Sequence, residues 1–335
     1  MGLVMGLEDI QDDEVESAMN ADGTWNKAQG GTELMNKALY ERVDNELLEK
    51  FNIIKSRVRD VATDKPNILW LHDLWADPEA QHLKDPESRE RFARLVFVSN
   101  WQLGTYNMGL GVPFHESIVI KNAIDPIPYV NKPKDQIRLI YHTTPHRGLQ
   151  ILVPVMAELA KIHGDAIHLD IYSSFAAYGW QERDEPYLDL FEMARQHPNM
   201  TYHGFQPNDV VRKALQEAHI YSYPNIWQET SCISVIEAMS AGCEVVCPNL
   251  AALPETTAGF ATMYQYSEDM NYHANVFANI LNQAIVRHRE DDNQKKLMFQ
   301  KNYVDNFYNW DVRASEWTGL LRALEPKKET LKIST

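Results

Sequence analysis

The sequence predicts an α/β fold of two domains, each built on a parallel sheet. Short apolar runs alternate with helix-capable segments along most of the chain, which is typical of β-α-β units. A break at 125–136 holds three prolines and little apolar content. The length of 335 residues also suits about two ordinary domains. Ligands of such folds bind beyond the carboxyl ends of the strands, so we expect a site in the cleft between the domains.

The first series of elements begins with an amphipathic helix that opens at Gly30-Gly31-Thr32-Glu33 and runs to Leu48. Its apolar side chains recur at a spacing of three to four residues. Residues 1–29 are polar and acidic, and we interpret them as a surface segment. The short apolar runs that follow predict strands at 52–54, 68–71, 95–98 and 118–120.

A second alternating series follows the proline-rich break, and we interpret the break as the linker between the domains. The predicted strands lie at 138–141, 167–172, 200–202, 220–223 and 244–247. The predicted helices lie at 148–163, 185–196, 209–218 and 234–240, with long helical stretches from about 271 to 323.

Composition narrows the classes of function. The net charge of −15 repels polyanions and argues against nucleic acid as a partner. Cys232, Cys243 and Cys247 are too few for a disulfide framework and fit no common zinc spacing, so we interpret them as small buried residues. No apolar run reaches the roughly 18–20 residues of a membrane span, and the acidic start lacks the positive charge of a signal peptide. We therefore expect a cytoplasmic chain.

Two glutamates, Glu229 and Glu237, flank a short polar turn that leads into a run of helix formers. Ser231 is the expected N-cap of that helix. Free amide groups at a helix start bind phosphate, Glu237 would accept hydrogen bonds from a ribose diol, and Glu229 would hold a hydroxyl-rich group. On its own, such a pair of glutamates is more often structural than functional.

The stretch 221–255 resembles the E-x7-E region of retaining glycosyltransferases of family 4, which have the GT-B fold of two Rossmann-like domains. The resemblance places Ser231, Cys232 and Ile233 in the phosphate-binding turn. Glu244 departs from the family pattern, which usually has proline there. The matching positions are Pro224, Glu229, Ile233, Glu237-Ala238-Met239, Gly242, Val245-Val246 and Pro254-Glu255.

Two more segments of the second half match in the family's order. Residues 200–205 resemble the strand and turn that flank the nucleotide base, which places Gly204 and Phe205 beside it. The Arg147-Gly148 pair resembles the family's basic residue and glycine, so Arg147 would hold the diphosphate as a bidentate cation. Many members carry another arginine where this chain has His142 or Thr143, so one positive charge is missing or pH-dependent.

The first half matches more loosely. Gly30, Gly31 and Thr32 resemble the Gly-Gly loop that approaches the donor phosphate and the acceptor. His72 follows a predicted strand and resembles the histidine that faces the transferred sugar. Alone, a glycine pair is more often a tight turn and a histidine more often a packed residue.

The resemblance covers about residues 30–260. Segments 97–101 and 119–125 are similar to the family's "vS" strand and closing N-G-[IV]-D, with Ala123 in place of the glycine. Residues 307–324 look like the family's last helices, which cross back onto the first domain. The implied division is an acceptor domain over 1–128, a donor domain over 129–306, and a returning helix with its tail over 307–335.

The implied activity is transfer of a sugar from a UDP- or GDP-sugar to an acceptor, without a metal or other cofactor and with retained configuration. His72, Glu229 and Arg147 would act on the reacting groups. The first 16 residues hold six acids and no base, which favours a soluble acceptor (a glycan, glycoconjugate or small molecule). The donor would contact Gly30, Gly31, Thr32, His142, Thr143, Arg147, Gly204, Phe205, Ser231, Cys232, Ile233 and Glu237.

Other interpretations stay open on sequence grounds. An epimerase or phosphorylase can share this architecture, and a non-catalytic nucleotide-sugar binding protein would account for the missing arginine and the short first domain. A dehydrogenase is set aside, because no G-x-G-x-x-G follows a strand. Trp75, Trp101 and Tyr106 lie where acceptors bind in the family, although scattered aromatic residues more often serve packing.

Overall fold

The structure, a computed structural model, describes residues 30–289 and 294–325. The interpretation of residues 1–29 as a surface segment lies outside the described residues, as does the tail from 326 onwards. Within the described part, two parallel sheets form the centres of two α/β units. No helix in that part is long and apolar enough to cross a bilayer.

The first sheet has the strand order β1-β2-β3-β4, with every neighbouring pair parallel. All five residues of β2 are buried, because helices and loops cover both faces of a parallel sheet. Both ends of each of the four strands lie within one residue of the predicted bounds. They are β1 Asn52–Lys55, β2 Asn67–Leu71, β3 Arg94–Phe97 and β4 Ser117–Val119.

The predicted opening helix is two helices rather than one. Val43 adopts an extended backbone, with φ −104° and ψ 144°, and this ends the first helix. The Asp44 side chain then accepts a hydrogen bond from the Glu46 amide and caps the next helix. The helices of this domain are α1 Gly31–Arg42, α2 Asn45–Leu48, α3 Pro86–Arg89 and α4 Asn100–Leu110.

The second sheet has the order β10-β9-β8-β5-β6-β7, again entirely parallel. The chain builds β5, β6 and β7 outwards in one direction and then returns to place β8 beside β5. This reversal is the topological switch point of the sheet. Its strands are β5 Ile137–Tyr141, β6 Ile167–Ile171, β7 Met200–Tyr202, β8 Ile220–Ser222, β9 Glu244–Pro248 and β10 Thr262–Tyr264, of which β10 was not predicted.

The last helix of the described chain crosses back to the first domain, as expected. Trp317 packs edge-on against Trp70 of β2, with the ring centroids 4.9 Å apart, and joins the apolar core around Leu39. The remaining helices are α5 Leu149–His163, α6 Leu188–Gln196, α7 Asn208–Glu217, α8 Ile233–Ser240, α9 Leu253–Thr257, α10 Met270–Arg289, α11 Gln294–Phe307 and α12 Trp310–Leu324.

A carboxylate of the second half also caps a helix of the first. Glu255 on α9 accepts hydrogen bonds from the amides of Asn100 (3.0 Å) and Trp101 (2.8 Å) at the start of α4, and it pairs with Lys121. A negative charge at a helix start is favourable, because the helix dipole is positive there. This contact fixes the two domains against each other on one side of the cleft.

Candidate functional site

A cleft of about 1430 Å³ lies between the carboxyl edges of the two sheets. The start of α1 and the ends of β1 and β2 line it from the first domain. The loops after β5, β6 and β8 and the start of α8 line it from the second. The second set surrounds the switch point between β5 and β8, where ligands of α/β folds bind. This cleft is therefore the candidate site.

Glu229 and Arg147 form an ion pair on the second domain's side of the cleft. Arg147 Nη1 lies 2.6 Å from Glu229 Oε1, and the Tyr223 hydroxyl donates to the same oxygen at 2.6 Å. Only 6% of Glu229 is exposed. Burial is the largest single effect and opposes the arginine charge, but Glu229, Tyr178, Tyr223 and Cys232 together outweigh it and raise the pKa of Arg147 well above its usual value. The sequence suggested each residue separately and gave no sign that they pair.

Glu237 is held by two side chains of α7. Arg212 Nη1 donates to Glu237 Oε1 at 2.8 Å, and Asn208 Nδ2 donates to the same atom at 3.3 Å. Burial raises the pKa of Glu237, while the Arg212 charge lowers it in part. Sequence reasoning missed both partners, although their spacing of four residues puts them on one face of α7.

The same Arg212 reaches the segment that joins the two sheets. Its Nη2 donates to the Asp125 carbonyl at 2.6 Å. The Asp125 carboxylate in turn accepts from Arg42 at 2.8 and 2.9 Å, near the end of α1. The orientation of Glu237 is thereby tied to the connection between the domains.

The start of α8 lacks the N-cap expected at Ser231. The N-cap is Cys232, and no side chain caps the helix there. The Ser231 prediction is wrong because the chain is still in the loop at that residue, where its carbonyl accepts from Asn122 Nδ2 at 3.3 Å. Ser231, Cys232 and Ile233 all line the cleft, and burial raises the pKa of the Cys232 thiol to about 12, which keeps it neutral. An uncapped helix start facing a cleft is suited to bind an anion.

Three histidines on the cleft wall are neutral. Burial lowers the pKa of His72, His142 and His146 to about 3 in each case. His142 therefore carries no charge at neutral pH. The sequence left two possibilities for this position, a missing charge and a pH-dependent one, and the lowered pKa favours the missing charge. The buried ring atoms His72 Nε2, His142 Nε2 and His146 Nδ1 have no hydrogen-bond partner among the described residues, nor does Arg147 Nε.

The glycine loop of the first domain faces the start of α8. Gly30 is the N-cap of α1, and no side chain caps that helix either. A Cβ built on Gly31 would stand 3.1 Å from Ile233 Cδ1, so the two helix starts approach closely. Thr32 lines the cleft beside them.

The turn after β7 lies at the other end of the cleft. Gly204 has a φ of +66°, which favours glycine, and it lies just outside the lining that Phe205 and Gln206 provide. Thr143, after β5, also lines the cleft. The structure thus gathers the predicted donor residues around one cavity, with Gly204 at its edge.

Two of the three aromatic residues suggested for an acceptor, Trp75 and Tyr106, pack within the first domain. Tyr106 is fully buried, and its hydroxyl donates to the carbonyls of Asp73 and Leu74. Trp75 packs directly on Gly109 of α4. Instead, the cleft has aromatic residues that sequence reasoning did not find, Tyr178 and Trp180, which lie in the segment between β6 and α6.

Glu244, which replaces the family's usual proline, is buried at the start of β9. The Thr262 hydroxyl donates to it at 2.6 Å, Arg287 also donates to it, and His288 Nε2 lies 3.0 Å away. Burial favours the neutral acid, but His288, Thr262 and Arg287 outweigh it and lower the pKa of Glu244 to about 2. The buried glutamate that replaces the family's proline is therefore paired with polar side chains.

This depressed pKa predicts a pH-dependent stability. Above the ordinary value of 4.5, the carboxylate of Glu244 stabilises the folded chain, and that contribution is lost as the pH falls towards 2. We expect Glu244→Gln to lower the melting temperature at pH 7, with a smaller difference from the wild type at each step below pH 4.5. Melting curves between pH 7 and 3.5 measure this. A difference that widens in acid would contradict it.

Comparison with known proteins agrees with this architecture. Residues 138–281 match the family model described as Glycosyl transferases group 1. The chain is 22% identical over 244 residues to a lipopolysaccharide 1,2-N-acetylglucosaminetransferase of Salmonella typhimurium, covering 68% of this chain and 61% of that relative. The chain thus spans about three fifths of the length of this curated relative.

Solved structures resemble most of the chain in fold. A glycosyltransferase from Rickettsia africae has a TM-score of 0.65 at 13% identity, covering 91% of this chain and 85% of that one. Anabaena HepE, in complex with UDP-glucose, has a TM-score of 0.60 at 13% identity, covering 77% and 72%. The predicted GT-B fold of two parallel-sheet α/β domains is confirmed.

Proposed function

We propose that the chain is a retaining glycosyltransferase of family 4, which moves a sugar from a nucleoside diphosphate sugar to an acceptor hydroxyl without a metal. One observation carries the proposal. Glu229 and Glu237 flank the uncapped start of α8, and all three line a cleft at the switch point of the sheet. This constellation falls within the segment that matches Glycosyl transferases group 1.

Each group of the donor has a counterpart in the cleft. Glu237 would accept hydrogen bonds from the ribose diol, since its carboxylate is already oriented by Arg212 and Asn208. The α8 amides and Arg147 would bind the diphosphate. Glu229 would orient hydroxyls of the sugar, and His72 would face the same sugar from the first domain.

The reaction that this arrangement supports breaks the bond between the anomeric carbon and the β-phosphate oxygen. The acceptor hydroxyl oxygen forms the new bond on the same face of the sugar, and its proton passes to the departing diphosphate. The diphosphate gains negative charge as its bond breaks, so fixed donors at the α8 start and Arg147 would lower the barrier. We do not assign Glu229 as a nucleophile, because Arg147 and Tyr223 already share its Oε1 oxygen.

The nucleotide base is proposed from the structural neighbours. HepE was solved with UDP-glucose, and the pneumococcal O-GlcNAc transferase GtfA, another structural neighbour, with UDP and GlcNAc. These relatives favour a uridine donor, with a GDP-sugar as the alternative. We propose a soluble glycan, glycoconjugate or small molecule as the acceptor, used in the cytoplasm.

The Glu237 role is tested by nucleotide binding. We expect Glu237→Ala to weaken UDP binding about 10- to 100-fold, because a hydrogen bond to a charged group contributes about 1.5–3 kcal/mol. Titration calorimetry of the wild type, this variant and the exposed control Glu158→Gln measures the effect. Unchanged affinity in Glu237→Ala would remove Glu237 from the ribose site.

Catalysis itself needs a separate assay. UDP or GDP release is measured with a panel of nucleotide sugars, each with and without a panel of acceptors, and the product's anomeric configuration is read by NMR. Conversion of a donor without an acceptor would indicate an epimerase. Tight donor binding with no turnover on any acceptor would indicate a binding protein.

A further inference from the structure

The segment between β6 and α6, residues 174–187, forms a strap along one side of the cleft. Its base is fixed by Asp184, which is 7% exposed and accepts hydrogen bonds from the Ser174 hydroxyl and from the Phe175 amide at 2.9 Å. Phe175 stacks on His146, with the ring centroids 5.2 Å apart and the planes 14° apart. These hydrogen bonds and the ring stacking hold the strap against the rest of the second domain.

Two aromatic rings of the strap line the cleft. Tyr178 and Trp180 stack with their centroids 5.4 Å apart, and the Arg183 guanidinium lies 4.3 Å from the Trp180 ring. Gly179 between them has a φ of +79°, a turn that favours glycine and brings both rings to the same side. Both rings line the cleft with Arg183 over the ring of Trp180, so this part of the wall combines aromatic carbon with a positive charge, which suits the apolar patches and the hydroxyls of a sugar.

Tyr178 reaches across to the first domain at the reacting end of the cleft. A Cβ on Gly30 would stand 2.5 Å from Tyr178 Cε1, so the ring packs directly on the glycine loop. Burial raises the pKa of its hydroxyl, Arg147 lowers it in part, and Glu229 and Glu33 add to the rise. The ring lines the same cleft as Arg147 and Glu229, the ion pair to which the proposed function assigns the diphosphate and the donor sugar.

We propose that Tyr178 and Trp180 form the aromatic wall of the donor-sugar subsite and select the sugar that is transferred. This inference rests on the proposed function. The strap emerges from the same sheet edge as Arg147 and Glu229, so it keeps its position relative to them if the two domains move. An acceptor would instead approach from the side of the first domain. The strap meets that domain where Tyr178 packs on Gly30.

The test compares binding of UDP with binding of UDP-glucose and UDP-N-acetylglucosamine, using the GDP equivalents if UDP does not bind. For Tyr178→Ala and Trp180→Ala, we expect affinity for the sugar nucleotides to fall about 3- to 10-fold, as for a lost aromatic contact, and affinity for the free nucleotide to stay within about twofold. Tyr178→Phe keeps the ring and should bind like the wild type. Tyr272→Ala, an exposed tyrosine on α10, is the matched control.

The outcomes separate the two proposals. A wild-type chain that binds neither UDP nor GDP overturns the proposed function. A wild type that binds, with alanine variants that lose nucleotide and sugar nucleotide equally or lose neither, overturns the aromatic wall alone. A Tyr178→Phe variant as weak as Tyr178→Ala overturns recognition by the ring face.

Discussion

Replacing Arg147 by glutamine is expected to lower kcat about 100- to 1,000-fold, the usual effect of removing one fixed donor from a developing negative charge. Arg147 is a cation that lines the cleft with the uncapped start of α8, whereas His142 and His146 are neutral at pH 7. Arg147→Lys keeps the charge without the planar fork and should fall between the wild type and Arg147→Gln. Steady-state release of the nucleotide measures all three.

A structural explanation must be separated from this one, because Arg147→Gln also leaves the buried Glu229 carboxylate without its cation. Glu229→Gln and the double variant complete a double-mutant cycle, with melting temperatures recorded for each. Should the double variant be as active as Glu229→Gln alone, Arg147 acts only by holding Glu229, and its contact with the diphosphate is excluded.

The sequence was sufficient to predict elements whose cause is local. The strands at 52–54, 68–71 and 200–202 are short apolar runs with no competing pattern, and their observed bounds agree to within about a residue. Their parallel pairing followed from the helices between them. The prediction of one long opening helix failed at Val43 and Asp44, where a side-chain cap on the next turn outweighs helical periodicity.

Contacts between distant segments were not predictable in the same way. Glu229 and Glu237 were identified by their motif, but their partners Arg147 and Arg212 lie 82 and 25 positions away, and no local pattern encodes those distances. The strap was missed for a similar reason. Tyr178 meets Gly30 across the cleft, although the two residues are far apart in the sequence.

The neutral state of His142 also could not be inferred from the sequence alone. From the sequence, a histidine in place of an arginine suggests a charge that varies with pH. Packing decides otherwise, because burial lowers its pKa to about 3 and the backbone of Ser234 offsets this only in part. His142 therefore adds no charge to the cleft, whose cationic lining residues are Lys55, Arg57, Arg59, Arg147 and Arg183.

Gly148→Ala is expected to be among the most destabilising single changes in the second domain. Gly148 has a φ of +118°, which costs a non-glycine residue about 1–3 kcal/mol. In addition, a Cβ there would stand 2.1 Å from the Pro224 carbonyl oxygen, so the backbone after β8 must move. We expect a total loss of about 3 kcal/mol or more, and a fall in melting temperature of about 6–12 °C.

Gly259 is the matched control, because its φ of +80° imposes a similar backbone cost while no atom lies within 4 Å of its Cβ position. The difference between Gly148→Ala and Gly259→Ala in melting temperature isolates the close approach to Pro224. That approach sets Arg147, the preceding residue, against the loop that carries Glu229. Gly148→Ala should therefore weaken nucleotide binding even at temperatures where it stays folded. Equal melting of the two variants, with normal nucleotide binding, would mean that the approach of Gly148 to Pro224 does not position Arg147.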